Sequence, residues 1–272
     1  MSKFRLAEMT FREFQQRIDE NPVILLPLGS QEEQGPTAPM GDFMLTDALA
    51  AQVAERAGAI AAPTLPFGYG DYFRPVPGGI QLRAETFCAV LRDYADNFLD
   101  HGLSRLVILN GHSGNAPMID RVTRGIRTER GVVVPSINLW RLHTPEVWEE
   151  AYGVAAGKGF GHGAEPLGSV YTYFFPQHMR PDLRETPANG KTFMGFETSG
   201  FAAVKFRGLD IAMPLDVTDV TDNGIAGGDP GLVSAAAGRR IAEHIVATAA
   251  DFVRAFRDAP LPGRWQPQRE KA

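Results

Sequence analysis

Two short, uninterrupted apolar runs constrain this sequence more than any other feature: Val23-Ile24-Leu25-Leu26-Pro27-Leu28 and Leu106-Val107-Ile108-Leu109. A strand with one face in water alternates apolar and polar side chains. A strand apolar at every position must be covered on both faces, as in a parallel sheet with helices on each side. Each run leads into a Gly-containing polar loop and then a helical pattern. After the first come Gly29 to Asp42 and a helix from about Leu45 to Ala57, with Gly58 as its stop. After the second come Asn110 to Asn115 and a helix marked by Met118, Ile119, Val122 and Ile126. Ile60 to Leu65 suits a second, proline-limited strand, Thr86 to Asp100 a helix closed by Gly102, and Val132-Val133-Val134 the start of a strand running towards Trp140. This alternation predicts an α/β fold with right-handed crossovers.

The flanking segments are legible in less detail. Thr10 and Glu13 have capping-box spacing, and Phe11, Phe14 and Ile18 follow at helical spacing. Gly157 to Gly163 reads as a glycine-rich loop, and Pro166 suits the first turn of a helix running to about Phe175. Residues 176 to 228 suggest several short strands and loops. A long closing helix, Ala235 to Phe256, is entered through Gly228-Asp229-Pro230, and the tail after Pro260 reads as a surface extension. With no repeat, low-complexity tract or linker, the 272 residues are expected to form a single domain.

Composition narrows the function classes. With 27 basic against 32 acidic residues and no basic stripe, nucleic acid is excluded as a partner. The run from Val23 to Leu28 falls far short of the roughly 20 residues of a membrane span. No apolar segment follows the opening Met-Ser-Lys-Phe-Arg, so a cytoplasmic location is expected. The lone Cys88 rules out an internal disulfide. It lies in the helical pattern of Phe87, Val90, Leu91, Tyr94 and Phe98 and reads as a buried small hydrophobe, since nothing nearby would lower its pKa.

Ligands of open α/β sheets bind outside the carboxyl ends of the strands, so the loops after the two best strands are the first places to seek chemistry. They carry Glu32 and Asp42, and His112. One Glu, one Asp and one His suit a divalent metal with open positions for water and substrate. Taken singly, acids in a Gly/Pro loop are usually solvated and a histidine after Asn-Gly is often a turn residue; the coincidence of two such loops favours a site. A third element is Gly161-His162-Gly163-Ala164-Glu165-Pro166. Glu165 there either caps a helix start, where the dipole favours a carboxylate, or binds a metal or orients its water beside a proton-shuttling His162. The segment Gly68 to Arg83 offers Tyr69, Asp71 and Arg74, able to hydrogen-bond a small polar ring, or else an aromatic loop packed on a neighbouring subunit.

These loops in this order resemble the creatininase family of amidohydrolases. The first reads Gly29-Ser30-Gln31-Glu32-Glu33-Gln34-Gly35-Pro36 with Asp42, the second Asn110-Gly111-His112-Ser113-Gly114-Asn115, the third His162-Gly163-Ala164-Glu165, and Gly228-Asp229-Pro230 resembles the family's C-terminal segment. The resemblance implies a three-layer αβα sandwich with a mainly parallel sheet, often assembled as a hexamer. It implies that Glu32, Asp42 and His112 hold metal, with Asp42 bridging in a two-metal member. Glu165 falls at an acidic position of the second half of the site, His162 at a proton-handling histidine, and Trp140 at a tryptophan of a substrate-covering loop. Tyr69, Arg74, Asn115 and Trp140 are accordingly assigned to substrate.

The departures are specific. Gln34 stands where the family has a histidine, Gly114 where creatininase has a metal-binding Glu, and Leu167 where a second Glu is frequent; Asp42 lies one residue closer to Glu32 than usual. An amide oxygen at Gln34 is a weaker zinc ligand than imidazole and suits manganese better. The expectation is therefore a hydrolase with one or two Mn²⁺ or Zn²⁺ ions. It would open a small polar cyclic substrate by attack of metal-activated water on a carbonyl. A C–C ring-opening hydrolase of an oxidised inositol such as 3-dehydro-scyllo-inosose is the neighbouring alternative. A metal-free small-molecule-binding protein is the alternative of another class, and the lack of Gly-x-Gly-x-x-Gly or a P-loop after the first strand disfavours phosphate cofactors.

Overall fold

The computed structural model describes residues 3–188 and 190–262. In chain order the strands and α-helices begin α1 (Phe11–Ile18), β1 (Ile24–Leu28), α2 (Phe43–Ala57), β2 (Ile60–Ala61), α3 (Ala84–Leu99), β3 (Leu106–Asn110), α4 (Ala116–Arg130), β4 (Ser136–Asn138) and α5 (Pro145–Tyr152). There follow α6 (Ala156–Gly159), β5 (Gly161–His162), α7 (Leu167–Phe174), β6 (Thr192–Phe193), β7 (Phe196–Glu197), β8 (Ala203–Phe206), β9 (Leu209–Ala212), α8 (Val217–Val220), β10 (Ala226–Gly227) and α9 (Ala235–Asp258). The central sheet has the order β2-β1-β3-β4, and its strands pair in parallel.

Successive side chains of a strand point to opposite faces, and both faces here are covered. Ile24, Leu26 and Leu28 of β1, with Leu106 and Ile108 of β3, pack among Phe87 and Leu91 of α3 and Ile119, Val122 and Ile126 of α4. Leu25, Val107 and Leu109 face the other way, among Leu45, Leu49 and Val53 of α2, Trp148 of α5, Val170 and Tyr171 of α7, and Ile241 and Ile245 of α9. The result is the expected three-layer sandwich. No described helix is long and apolar enough to cross a membrane.

Several boundaries differ from expectation for identifiable reasons. The second strand pairs only at Ile60 and Ala61, with one further bridge between Leu28 and Leu65; Pro63, which has no N–H to donate, interrupts it. The run Val132 to Val134 is apolar because Val134 is buried and Val132 packs against the same core, while pairing begins at Ser136. Gly157 to Gly163, expected as a loop, holds the helical turn α6 and the strand β5, which pairs antiparallel with β10. Pro166 sits just before α7 as its N-cap. The capping box at Thr10 is present, but Phe11 points to solvent. Cys88 is half-buried, with its sulfur 3.7 Å from Met118 Sδ and its thiol pKa pushed up by burial.

Between α7 and α8 lie two hairpins, β6–β7 and β8–β9, with a small core of Val204, Leu215 and Val220. The tail expected beyond Pro260 lies outside the described residues from position 263 onward. The burial pattern makes a paired prediction within α3. Leu91 is fully buried whereas its neighbour Val90 is exposed. Leu91→Ala should cost about 2–5 kcal/mol in urea unfolding, and Val90→Ala about 0.5 kcal/mol or less. Equal costs would show that this face of α3 does not pack on the sheet.

Candidate metal centre

The β1 and β3 loops leave the same edge of the sheet because the strands pair in register through Leu28 and Asn110. Asp42 immediately precedes α2, yet its side chain does not cap that helix. Its Oδ1 instead accepts a hydrogen bond from the Ser30 amide at 2.8 Å, which leaves Oδ2 3.4 Å from His112 Nδ1. Glu32 Oε1 lies 3.0 Å from the same nitrogen. The other ring nitrogen, Nε2, is 3.0 Å from the Tyr69 carbonyl. That acceptor makes Nε2 the donor and turns Nδ1 towards the carboxylates. Position 111 must be glycine, since a Cβ there would stand 1.7 Å from Thr46 Oγ1.

Glu32, Asp42 and His112 are all buried, and one donor atom from each falls within 4.8 Å of the others. Burial pushes Asp42 up to about 6, with the Glu32 charge adding to the rise and His112 and the Ser30 amide opposing it. Burial alone would lower His112, but the charges of Glu32 and Asp42 and hydrogen bonds to both hold it up at about 10. Glu32 Oε2 is buried without any hydrogen-bond partner. A buried carboxylate oxygen without a donor is costly unless a cation meets it. The two carboxylates, one imidazole and this unpartnered oxygen fit a divalent ion of the manganese or zinc kind.

Gln34 lines the same cavity, and its amide nitrogen donates to Glu32 Oε1 at 3.0 Å. As placed, it orients a carboxylate and offers no second imidazole. Among the described residues the triad is the one cluster of three or more His, Cys, Asp or Glu side chains able to hold an ion. The cavity above it has a volume of about 340 Å³, and its walls include Tyr72, Phe73, Trp140, His162, Glu165 and Phe201. His162 Nε2 lies 2.7 Å from Glu33 Oε1, and Glu33 Oε2 accepts from the Gly35 amide at 2.8 Å. Burial lowers the His162 pKa, but the hydrogen bond and charge of Glu33 more than reverse this.

The remaining assignments are redrawn by the structure. Glu165 borders the cavity but belongs to another network. Its Oε2 accepts from the Tyr152 hydroxyl at 2.7 Å and the Ser169 amide at 3.2 Å, and its Oε1 from the Ser169 hydroxyl at 2.8 Å. Burial raises its pKa. Arg74 is exposed, pairs with Asp71 and reaches the Gln81 carbonyl, away from the cavity. Asn115 is fully buried and ties loops together, accepting from the Tyr69 amide and donating to the Gly29 carbonyl and Asn110 Oδ1. Tyr69 serves the centre through its backbone carbonyl, while its ring packs against the lower core. Trp140 is buried, its indole N–H is bonded to the Gly111 carbonyl, and it forms part of the cavity wall. Sequence reasoning passed over Glu33 as the partner of His162, although it stands in the same acidic pair as Glu32. It also missed Tyr72, Phe73 and Phe201. The first two lie in a loop already singled out for its aromatics; Phe201 lies in the segment without legible periodicity.

Donors carried by the loops of two adjacent parallel strands, facing a small cavity, make a candidate metal centre on an α/β sandwich. The chain belongs to the creatininase family, whose model, creatinine amidohydrolase, matches residues 7–253. It is 33% identical over 124 residues to creatinine amidohydrolase of Pseudomonas putida, covering 42% of this chain and 46% of that protein. It is likewise 33% identical over 106 residues to 3-dehydro-scyllo-inosose hydrolase of Thermotoga maritima, covering 38% and 34%. The matched stretch thus spans less than half of either relative. A solved structure of creatininase in its Mn form, 25% identical, superposes with a TM-score of 0.76 over 93% of this chain and 98% of that one.

His112→Ala should strip manganese from protein purified without chelator, as read by elemental mass spectrometry, while circular dichroism stays native. Gln34→His should raise zinc affinity by supplying an imidazole beside Glu32. Retained manganese in the first variant, or unchanged zinc titration in the second, would show that these side chains do not form the centre.

Proposed function

We propose that the protein is a metal-dependent hydrolase that opens a small polar cyclic substrate by adding water to a carbonyl. The observation that carries this reading is the unpartnered Glu32 oxygen, buried with Asp42 and His112 beneath a cavity that His162 also lines. A cavity of about 340 Å³ suits one small ring. Glu32, Asp42 and His112 would hold a divalent ion, which would supply the Lewis acidity that makes water a nucleophile near neutral pH. The chain's own groups do the rest. The Ser30 amide and Gln34 aim the two carboxylates, and the Tyr69 carbonyl aims His112. Phe73 and Phe201 flank His162 at ring distances of 4.7 and 5.4 Å and hold its ring at the cavity wall. Glu33 grips His162 and raises its basicity, so the imidazole can take a proton from the attacking water and pass it to the leaving atom.

A cyclic amide is the first substrate class, supported by the creatinine amidohydrolase relative. Ring opening of an oxidised inositol is the second, supported by the inosose hydrolase relative. A passive binding protein would have no use for a buried carboxylate oxygen lacking a donor. We take residues 1–272 as one catalytic unit, since the cavity draws on positions from Glu32 to Ala226. We place it in the cytoplasm, a reading supported by the free Cys88.

We also take the protein to be a homo-oligomer. Phe73 and Trp140 are buried, and Phe174 and Phe175 pack against the core. Five exposed apolar side chains cluster on the two hairpins: Met194, Phe196, Phe206, Leu209 and Ile211. A partner surface would cover them. A monomer in light scattering at micromolar concentration would refute this.

The activity is tested by a hydrolase screen of manganese-loaded protein with cyclic amides, formamides and oxidised inositols. A chelator should abolish turnover. His162→Asn should lower it by about two to four powers of ten at unchanged manganese content. Undiminished turnover would remove His162 from the mechanism, and no turnover of any compound by loaded wild type would favour the binding-protein reading.

A further inference from the structure

We propose that Tyr72 is a catalytic residue of this site, its phenol hydroxyl donating a hydrogen bond to the substrate oxygen that gains negative charge as water adds to the carbonyl. The proposal rests on the hydrolase reading above. Its starting point is a contrast among the enclosed tyrosines. The hydroxyls of Tyr94, Tyr152 and Tyr171 are each spent on a protein acceptor: the Pro63 carbonyl, Glu165 and the Gly41 carbonyl. Tyr72 is half-buried, lines the cavity of the metal centre, and its hydroxyl is bonded to none of the described residues. A phenol held against a packed wall normally finds a partner. The cavity of the metal centre is one of the two that Tyr72 borders.

Position 114 locates the hydroxyl. A Cβ on Gly114 would stand 2.7 Å from Tyr72 Oη, 2.4 Å from His112 Nε2 and 2.7 Å from the Tyr69 carbonyl. The phenol oxygen, a ring atom of the metal-ligating histidine and the carbonyl that orients it therefore crowd around one point, which glycine leaves open. A tyrosine hydroxyl is neutral near pH 7 and keeps its proton for donation. The ring is also held. It stacks on Phe201 at 5.4 Å with an 18° interplanar angle and lies 4.6 Å from Phe73. A donor fixed before the charge develops needs no reorganisation when it does, which is the basis of oxyanion stabilisation.

Tyr72 and His162 then divide the work. As the water oxygen bonds to the carbonyl carbon, the π pair moves onto the carbonyl oxygen and the Tyr72 O–H bond stays intact. When the pair returns and the ring bond breaks, His162 delivers to the leaving atom the proton that water gave up. Phe73 contacts both rings and holds the two groups apart.

The test uses the full chain loaded with manganese, assayed with creatinine, with other five-membered cyclic amides and with 3-dehydro-scyllo-inosose. On the best of these, Tyr72→Phe should lower kcat by about two to three powers of ten, the usual effect of deleting one oxyanion donor. KM and bound manganese should stay as in wild type, because the ring and its stacking are retained. An undiminished kcat in Tyr72→Phe, with wild type active, overturns this proposal alone. So does a loss of manganese in that variant, which would make Tyr72 a support of the metal centre. If loaded wild type turns over none of the compounds, the hydrolase reading fails and this proposal with it.

Discussion

β1 and β3 pair in parallel from Ile24 opposite Leu106 to Leu28 opposite Asn110, and the site follows from that ladder. Parallel strands point their carboxyl ends the same way, so the loops that leave them emerge side by side. One loop brings Glu32 and the other His112, while Asp42 arrives at the start of α2, the helix returning across the sheet. Close approach of that helix is possible because Gly111 presents no Cβ to Thr46. The same ladder needs cover on both faces, and the two helical layers provide it. Their packing excludes water from the sheet edge and leaves the carboxylates little solvent.

That exclusion sets the electrostatics. Two carboxylates side by side in a dry site repel, and each loses its hydration. The arrangement of His112 between them, the Ser30 amide on Asp42 and the Gln34 amide on Glu32 compensates for part of the loss. One oxygen of Glu32 is left over. The floor of the cavity concentrates negative charge, which suits a cation, and its walls include Tyr72, Phe73, Trp140 and Phe201. His162 lines the same cavity, and its partner Glu33 stands outside the triad.

Two positions beside the triad shape its surroundings. Gln34 donates to Glu32, and Gly114 leaves space between His112 and the Tyr72 hydroxyl.

The sequence by itself determined the layered fold, because apolar runs at Val23–Leu28 and Leu106–Leu109 have no stable place except between two helical layers. It also determined the triad, because Glu32, Asp42 and His112 directly follow those strands and strand direction dictates where they emerge. Tertiary structure decided what each further side chain bonds to. Asn115, Trp140 and Tyr69 carry polar groups that the sequence presents as equally free for substrate; packing commits the Asn115 amide and the Trp140 indole to backbone partners and turns the Tyr69 carbonyl towards His112. Glu33 and Tyr72 became visible only where segments far apart in the chain met, at distances no local pattern encodes. Phe201 comes from hairpins too short and too exposed to show a period, and its place against Tyr72 and His162 depends on how the 192–215 segment folds back over the sheet edge. Burial patterns are written in the order of residues, whereas hydrogen-bond partners are chosen by whichever donor and acceptor the packed core leaves within reach.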